Sequence, residues 1–255
     1  MTQIAYLSYM NAKGALLLFI VGTMNMALYG QSSLPKRKLA DTLYALSGID
    51  MAKMGPEKWG LYERQIKQIE TSGVLVNALQ QKGKVPDFTL KNSKGKPVSL
   101  ATELQKGPVL LLWYQGGWNK YDALALRYFQ AYAAEFKKYG AAILALSPEL
   151  PEKALLTQTK NKITFDVLTD TNNALAKQLG ITYTLNDTLK KEYETLYKLS
   201  QINGNTGGVL PLPAAYLVHP NGKVTFAFVQ ADYRHHVEPS DILRVLKGMG
   251  FPARQ

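Results

Sequence analysis

The sequence predicts an α/β fold in which helices cover both faces of a mixed sheet, preceded by a helical extension. Three observations support this prediction. Residues 37–81 carry apolar side chains at spacings of three and four, which is typical of amphipathic helices. From Gly83 onward, short strand patterns alternate with helical patterns. The last two strand patterns flank a tight turn, which joins antiparallel neighbours.

We predict that the helical extension occupies residues 31–82. Gly55 and Pro56 interrupt it, and the proline suits the first turn of a second helix. Thr71, Ser72 and Gly73 mark a further break before the last short segment. The apolar stripes on either side of the Gly55–Pro56 break are Leu39, Leu43, Leu46 and Ile49, then Trp59, Tyr62, Ile66 and Ile69.

The domain predicted over residues 83–250 opens with a short hairpin and closes with a helix. Six consecutive apolar residues at 109–114 indicate a strand that is buried on both faces. The turn Pro220-Asn221-Gly222 joins the last two strands. The strand patterns are 88–90, 97–100, 109–114, 141–146, 165–168, 215–218 and 224–228, and the helical patterns are 124–136, 151–161, 173–179, 187–199 and 239–248.

Composition excludes several chemistries. The chain of 255 residues has no cysteine, which rules out disulfides, thiolate nucleophiles, Cys-ligated zinc and thiol peroxidase chemistry within it. Its formal net charge of +11 favours anionic surfaces without naming a partner. No zinc-finger, basic-zipper or arginine-rich pattern accompanies the charge, so we expect no nucleic-acid partner.

Residues 1–30 form a separate segment with one basic residue, Lys13, and no acidic residue. The apolar run 15–21 is short for a membrane span, which needs about 20 apolar residues. A cleaved signal peptide ending near Gly30 fits better and predicts export to a periplasmic or extracellular compartment. An uncleaved membrane anchor is the alternative, and a buried cytosolic helix the third. The basic run 36–38 argues against export, since such flanks stay cytoplasmic.

Several short motifs follow one another along residues 57–249. They are Val85–Leu90, Gly95–Leu100, Trp113-Tyr114, Gly116-Gly117-Trp118, Ser147-Pro148, Phe165–Asp170, Pro211–Ala214, Ala231–Tyr233 and Glu238-Pro239. Together these motifs resemble the peroxiredoxin-like branch of the AhpC/TSA family. The resemblance implies a thioredoxin fold and, at the level of the family, a thiol-dependent antioxidant or oxidoreductase activity.

The family's catalytic cysteines are absent. In the family Gly-Gly-Trp is followed by Cys-Pro-Tyr-Cys, whereas this chain has Asn119, Lys120, Tyr121 and Asp122. A cysteine at a helix N-terminus gains reactivity from unpaired N–H groups and the helix dipole. An asparagine there is instead a good N-cap, and an aspartate suits the first turn, together stabilising the helix start by about 1 kcal/mol. Neither side chain replaces a thiolate.

Two more residues match the family around the former active site. Arg127 corresponds to the arginine of the active-site helix, and we expect it at the surface beside Asp122 and Ala123 rather than binding an anion. Pro213 corresponds to the proline that precedes a core strand and is cis in thioredoxin folds. Such a proline supports the fold and says little about activity.

Other candidate sites are weak. His235 and His236 are adjacent, so their side chains diverge, which predicts a solvated basic edge rather than a metal site. An acid–base site of Asp122, Glu238 and a histidine is not required by the spacing. The Gly-rich loop 203–208 lacks the lysine and preceding strand of a phosphate cradle. Aromatic residues near the former site either line a ligand pocket or simply pack: Trp113, Tyr114, Trp118 and Tyr121.

The sequence leaves three functional hypotheses. The first is an exported, cysteine-free, non-catalytic binding or scaffold module with no cofactor or metal, which predicts an exposed Asp122. The second is an enzyme of altered, non-thiol chemistry at Asn119 and Asp122, which predicts a raised carboxyl pKa in an enclosed pocket. The third is a membrane-anchored domain with possible contact to an anionic membrane surface. The partner is an unknown protein or small molecule.

Overall fold

The computed structural model describes residues 34–253, and the segment predicted to be a signal peptide or anchor, residues 1–30, lies outside this range. The helices are α1 (Leu39–Thr71), α2 (Val74–Asn77), α3 (Leu100–Lys106), α4 (Lys120–Lys138), α5 (Pro151–Lys160), α6 (Ala174–Gln178), α7 (Asp187–Tyr197), α8 (Leu199–Asn203) and α9 (Pro239–Gly248). The strands are β1 (Thr89–Lys91), β2 (Pro97–Ser99), β3 (Val109–Trp113), β4 (Ala142–Ser147), β5 (Asp166–Thr169), β6 (Thr182–Thr184), β7 (Val209–Pro211), β8 (Ala214–Val218) and β9 (Val224–Val229).

A five-stranded sheet with the order β5-β4-β3-β8-β9 forms the centre of the domain. β3, β4 and β5 are parallel, while β8 runs antiparallel to β3 and β9 antiparallel to β8. The register places Leu111 of β3 between Leu144 of β4 and Tyr216 of β8. The predicted mixed sheet is therefore confirmed, and its central strand is the one with six consecutive apolar residues.

The two faces of β3 pack into two separate cores, because successive side chains of a strand point in opposite directions. Leu111 and Trp113 belong to one core with residues of β1, β2, α3 and α6. Leu110 and Leu112 belong to the other, with Phe129 of α4 and residues of α9. Every residue of β3 is buried, as expected for a strand covered on both faces.

The predicted helical extension is present: α1 runs from Leu39 to Thr71 and is interrupted at Gly55, the predicted break. Gly55 has a φ of 75°, a left-handed conformation that other residues adopt only with strain, and Pro56 begins the second half. Within residues 34–253, none of the helices combines the length and apolar character that a membrane crossing needs.

Several short elements were missing from the sequence prediction. The three-residue strands β6 and β7 pair into a separate small sheet, and three residues are too few to reveal an alternating pattern. Residue 100, predicted to end a strand, instead begins α3, because the Ser99 hydroxyl accepts a hydrogen bond from the Thr102 N–H and caps the helix.

Candidate functional site

The positions that match the family's cysteines lie where the loop after β3 meets α4. Asn119 is the N-cap of α4, as predicted: its side-chain oxygen accepts a hydrogen bond from the Tyr121 N–H at 3.0 Å. Its amide nitrogen donates to Gln115 Oε1, also at 3.0 Å. Asn119 is only 5% exposed, so both polar ends of this buried side chain are used within the protein.

Asp122 is fully buried, so the expectation of an exposed first-turn aspartate was wrong. Its Oδ2 accepts a hydrogen bond from the Gln115 N–H at 2.9 Å, and its Oδ1 lies 3.1 Å from Nε2 of His236. Burial raises the pKa of the Asp122 carboxyl, against the opposing effects of His236 and of backbone N–H groups. The first-turn rule failed because the segment that follows β9 folds across the start of α4.

His235 and His236 have different environments, so the predicted solvated edge holds for only one of them. His235 is largely exposed and lies 3.2 Å from an oxygen of Asp232, which raises its pKa. The side chain of His236 is 8% exposed and faces Asp122. The divergence of adjacent side chains was foreseen, but the sequence did not show which one turns inward.

Arg127 and Pro213 depart from their expected roles. Arg127 is exposed, but its Nη1 donates to Oδ1 of Asn161 at 2.8 Å rather than pairing with Asp122. Arg127 lies five residues after Asp122, about 140° around the helix, so Arg127 points outward while Asp122 points inward, which explains the error. The peptide before Pro213 is trans, the isomer favoured for X–Pro bonds, and no cis peptide occurs in residues 34–253.

Helix α1 covers the start of α4. Leu39 and Leu43 of α1 are buried against Tyr121 and Ala125 of α4. The carboxylate of Asp50, itself 3% exposed, accepts a hydrogen bond from the Tyr121 hydroxyl at 2.6 Å and pairs with the Lys120 ammonium. The sequence analysis did not identify Asp50, because an acidic residue in a polar helix has no pattern that marks it as a buried partner.

The segment after β9 fastens α1 from the other side. The Arg234 guanidinium binds both oxygens of Asp232 at 2.7 Å, donates to Glu63 of α1 at 2.6 Å and stacks over the ring of Trp59. The Glu238 carboxylate accepts hydrogen bonds from the first backbone N–H groups of α1. A carboxylate at this end of a helix is stabilised by the helix dipole.

Aromatic rings fill the space beside Asn119. The Trp118 ring lies 4.7 Å from the ring of Tyr197 and 5.3 Å from that of Tyr193, both on α7. Tyr62 of α1 and Tyr233 continue the cluster. Of the two roles considered for the aromatic residues near the former site, the structure therefore shows packing at Trp118 rather than an open pocket.

A buried glutamate, which the sequence analysis missed, holds the Gly116-Gly117 loop. Glu149 accepts hydrogen bonds from the Gly117 N–H, the Thr157 hydroxyl and the Tyr114 hydroxyl at 2.9–3.0 Å. Burial raises its pKa despite these donors. A Cβ atom on Gly117 would overlap Thr157, so the loop requires glycine there.

The remaining space at the site is small. A cavity of about 20 Å³ lies among Asp122, His236, Phe129 and their apolar neighbours, enough for about one water molecule. Within the described part of the chain, no group of three or more His, Asp or Glu side chains could hold a metal ion. The buried Asp122–His236 pair lies beside this cavity, which has no room for anything larger than water.

Comparisons with known proteins agree with this architecture. The model of the AhpC/TSA family matches residues 82–227. The chain is 31% identical over 104 residues to chloroplastic peroxiredoxin Q of Sedum lineare and 28% identical over 166 residues to that of Arabidopsis thaliana. These matches cover 41% and 65% of this chain, and 55% and 64% of the relatives, so the chain spans between about half and two thirds of their length.

Solved structures show the same fold at lower identity. The peroxidoxin BcpB of Mycobacterium tuberculosis superposes with a TM-score of 0.53 at 19% identity, over 67% of this chain and 98% of that one. Peroxiredoxin Q of Xanthomonas campestris gives a TM-score of 0.51 at 19% identity, over 68% and 98%. The family match spans more than half of the sequence and includes β3, the start of α4 and β8, and on this basis the chain belongs to the AhpC/TSA family.

Proposed function

We propose that this chain is a non-catalytic member of the AhpC/TSA family that serves as a binding or scaffold module for an unidentified protein or small molecule. One observation carries the proposal. Both positions that match the family's cysteines hold side chains without a thiol, and both side chains are buried and hydrogen-bonded within the protein. Function depends on the site rather than on the fold, and this site lacks its reacting atom.

The absence of a thiol and the closure of the site support this proposal independently. Reduction of a peroxide by a thiol protein needs a thiolate. The chain has no cysteine at any position, so none elsewhere can take the place of the missing ones. Reaction also needs access to the start of α4, where α1 and the rings of Trp118 and Tyr121 now pack. The Asn119 amide is a typical N-cap of a stable helix, and the buried Asp122 carboxyl lies beside a cavity that holds about one water molecule.

The test is peroxide consumption by the purified full chain with dithiothreitol as reductant. We expect hydrogen peroxide and an alkyl hydroperoxide to disappear at the rate of the protein-free blank. Turnover clearly above that rate would overturn the proposal. The variants Asn119→Ala and Asp122→Asn are assayed in parallel with the wild type. If the wild type shows turnover and either variant does not, the activity belongs to this site.

A second candidate, an enzyme of altered non-thiol chemistry, is favoured by one specific observation: the environment of Asp122 is the one that this hypothesis predicted, whereas the non-catalytic hypothesis predicted an exposed side chain. Burial raises the pKa of Asp122 beside a histidine, an arrangement suited to general acid–base catalysis. A substrate would have to reach a cavity that holds about one water. This candidate therefore needs α1 to open, which predicts rapid hydrogen exchange of the Tyr121 and Ala123 amides, both of which are hydrogen-bonded to Asn119. Exchange as slow as that of β3 would argue against it.

For localisation we propose export, with residues 1–30 removed as a signal peptide. The short apolar run and the single N-terminal basic residue support this, and a retained membrane anchor is the alternative. Mass spectrometry of the mature protein distinguishes them. A mature chain that begins near Gln31 supports export by cleavage, whereas a chain that retains residues 1–30 supports the anchor.

A further inference from the structure

The outer face of the first half of α1 has no partner within the described residues. Tyr44 is 80% exposed and Met51 is 51% exposed. They lie seven residues apart, two helical turns, and therefore on the same face. Leu39 and Leu43 lie on a different face, about 110° around the helix, and both are buried against α4. The first half of α1 thus has a docked apolar face and a second, exposed face that carries two large apolar side chains.

Three consecutive cations immediately precede this face. Lys36, Arg37 and Lys38 are all exposed, and none forms an ion pair with any residue in the described range. Asp41 is the only acidic residue between positions 34 and 49. The Glu238 carboxylate holds the first turn of α1 in place. The cations therefore project from a fixed position on the domain.

We propose that this outer patch, consisting of Lys36, Arg37, Lys38, Tyr44 and Met51, binds the surface of an anionic lipid bilayer. Basic residues next to exposed apolar side chains match the two layers of such a surface: charged headgroups above, acyl chains below. Tyrosine suits the boundary because its ring is apolar and its hydroxyl is polar. Each cation near an anionic bilayer contributes about fivefold in affinity.

The sequence upstream supports a membrane over a soluble acidic partner. In the sequence, the apolar run 15–21 ends fifteen residues before Lys36. Stable membrane attachment usually combines two signals, such as one apolar insertion and one basic patch. A chain that keeps residues 1–30, which is the retained-anchor alternative given above, carries both signals within its first 51 residues, whereas a chain cleaved near Gly30 keeps the outer patch alone. The proposal is independent of whether the domain is catalytic.

The test measures co-sedimentation of the full chain with vesicles of phosphatidylcholine containing phosphatidylglycerol, and with vesicles of phosphatidylcholine alone. We expect the triple variant Lys36→Glu, Arg37→Glu, Lys38→Glu to weaken binding to anionic vesicles by about 100-fold. The matched control reverses three other exposed lysines, Lys91, Lys94 and Lys96, and changes the net charge equally. We expect it to bind within about threefold of the wild type.

A second pair of variants tests the apolar part of the patch. Tyr44→Ser with Met51→Ser should weaken binding to anionic vesicles by about tenfold. Leu156→Ser with Leu196→Ser removes two apolar side chains of similar exposure elsewhere and should change nothing. Equal losses from both triple reversals would overturn the proposal, because net charge alone would explain them. Equal binding of the wild type to neutral and anionic vesicles would also overturn it, because insertion of residues 15–21 would then suffice.

Discussion

The link between Asp50 and Tyr121 gives the most direct test of how α1 closes the site. Asp50→Ala removes the acceptor of the Tyr121 hydroxyl and of the Lys120 ammonium. The lysine side chain is half exposed and regains water, so its loss costs little. The tyrosine hydroxyl belongs to a side chain that is 3% exposed and is left without a partner, which costs about 1–3 kcal/mol in addition to the lost bond.

We expect Asp50→Ala to lower the free energy of unfolding by about 3 kcal/mol in total. Asp50→Asn keeps an oxygen for the Tyr121 hydroxyl and should cost about 1 kcal/mol. Glu70→Ala breaks an exposed ion pair of the same helix with Lys67 and should cost less than about 0.5 kcal/mol. Urea unfolding followed by tryptophan fluorescence measures all three. A loss below about 0.5 kcal/mol for Asp50→Ala would refute the docking of α1 on α4.

Three further predictions concern the same region. Burial raises the pKa of Asp122 in the folded state, so the unfolded chain loses this proton at a lower pH. The free energy of unfolding should therefore fall as the pH rises above about 4, by up to about 1.4 kcal/mol per pH unit, until the folded-state pKa is passed. Urea unfolding at stepped pH should show this slope in the wild type and not in Asp122→Asn; equal slopes would contradict it. Asn119→Cys introduces a single thiol, which should react with a disulfide reagent at least about tenfold more slowly than in urea; equal rates would mean an open site. Arg234→Ala removes the bidentate partner of the buried Asp232, which keeps only His235 beside it, and the partner of the half-exposed Glu63. The loss should be about 3 kcal/mol in urea unfolding, and Arg234→Lys should restore only part of it; a loss under about 1 kcal/mol would contradict the role of Arg234 in holding α1.

The sequence was sufficient to predict the sheet and most of its helices. A run such as 109–114 has no polar residue to place in solvent, so burial on both faces was the only arrangement available. The last helix begins at Pro239 and ends at Gly248, as predicted, because proline favours its first turn. These features depend on local sequence, which periodicity and turn residues describe directly.

The closure of the site could not be predicted in the same way. Asp50 and Tyr121 are 71 positions apart, and no local pattern connects them. The burial of Asp122 depends on His236, which comes from a loop more than a hundred residues later. First-turn acidic residues are usually solvated, and that general rule gave the wrong answer here because a distant segment covers this turn. Long-range contacts decided the character of the site.

The two residues at the family's cysteine positions act on one neighbour, Gln115. Asn119 donates to its side-chain oxygen, and Asp122 accepts from its backbone N–H. Gln115 in turn donates to the Tyr183 hydroxyl at 3.0 Å, so the loop is held on three sides. A catalytic cysteine needs the opposite arrangement, with free N–H donors and room for a substrate. The loss of the thiol and the closure of the loop are therefore two separate barriers to peroxide chemistry.

Restoring the sulfur atoms alone should therefore not restore catalysis. We expect Asn119→Cys with Asp122→Cys to consume peroxide near the blank rate, because α1 still covers the start of α4. Adding Asp50→Ala, which cuts the link from α1 to Tyr121, should raise that rate by at least about tenfold through local opening. Asp50→Ala in the cysteine-free chain is the matched control and should stay at the blank. Full turnover from the two cysteines alone would contradict this. It would show that only the missing thiols prevent the reaction and that α1 does not block the peroxide.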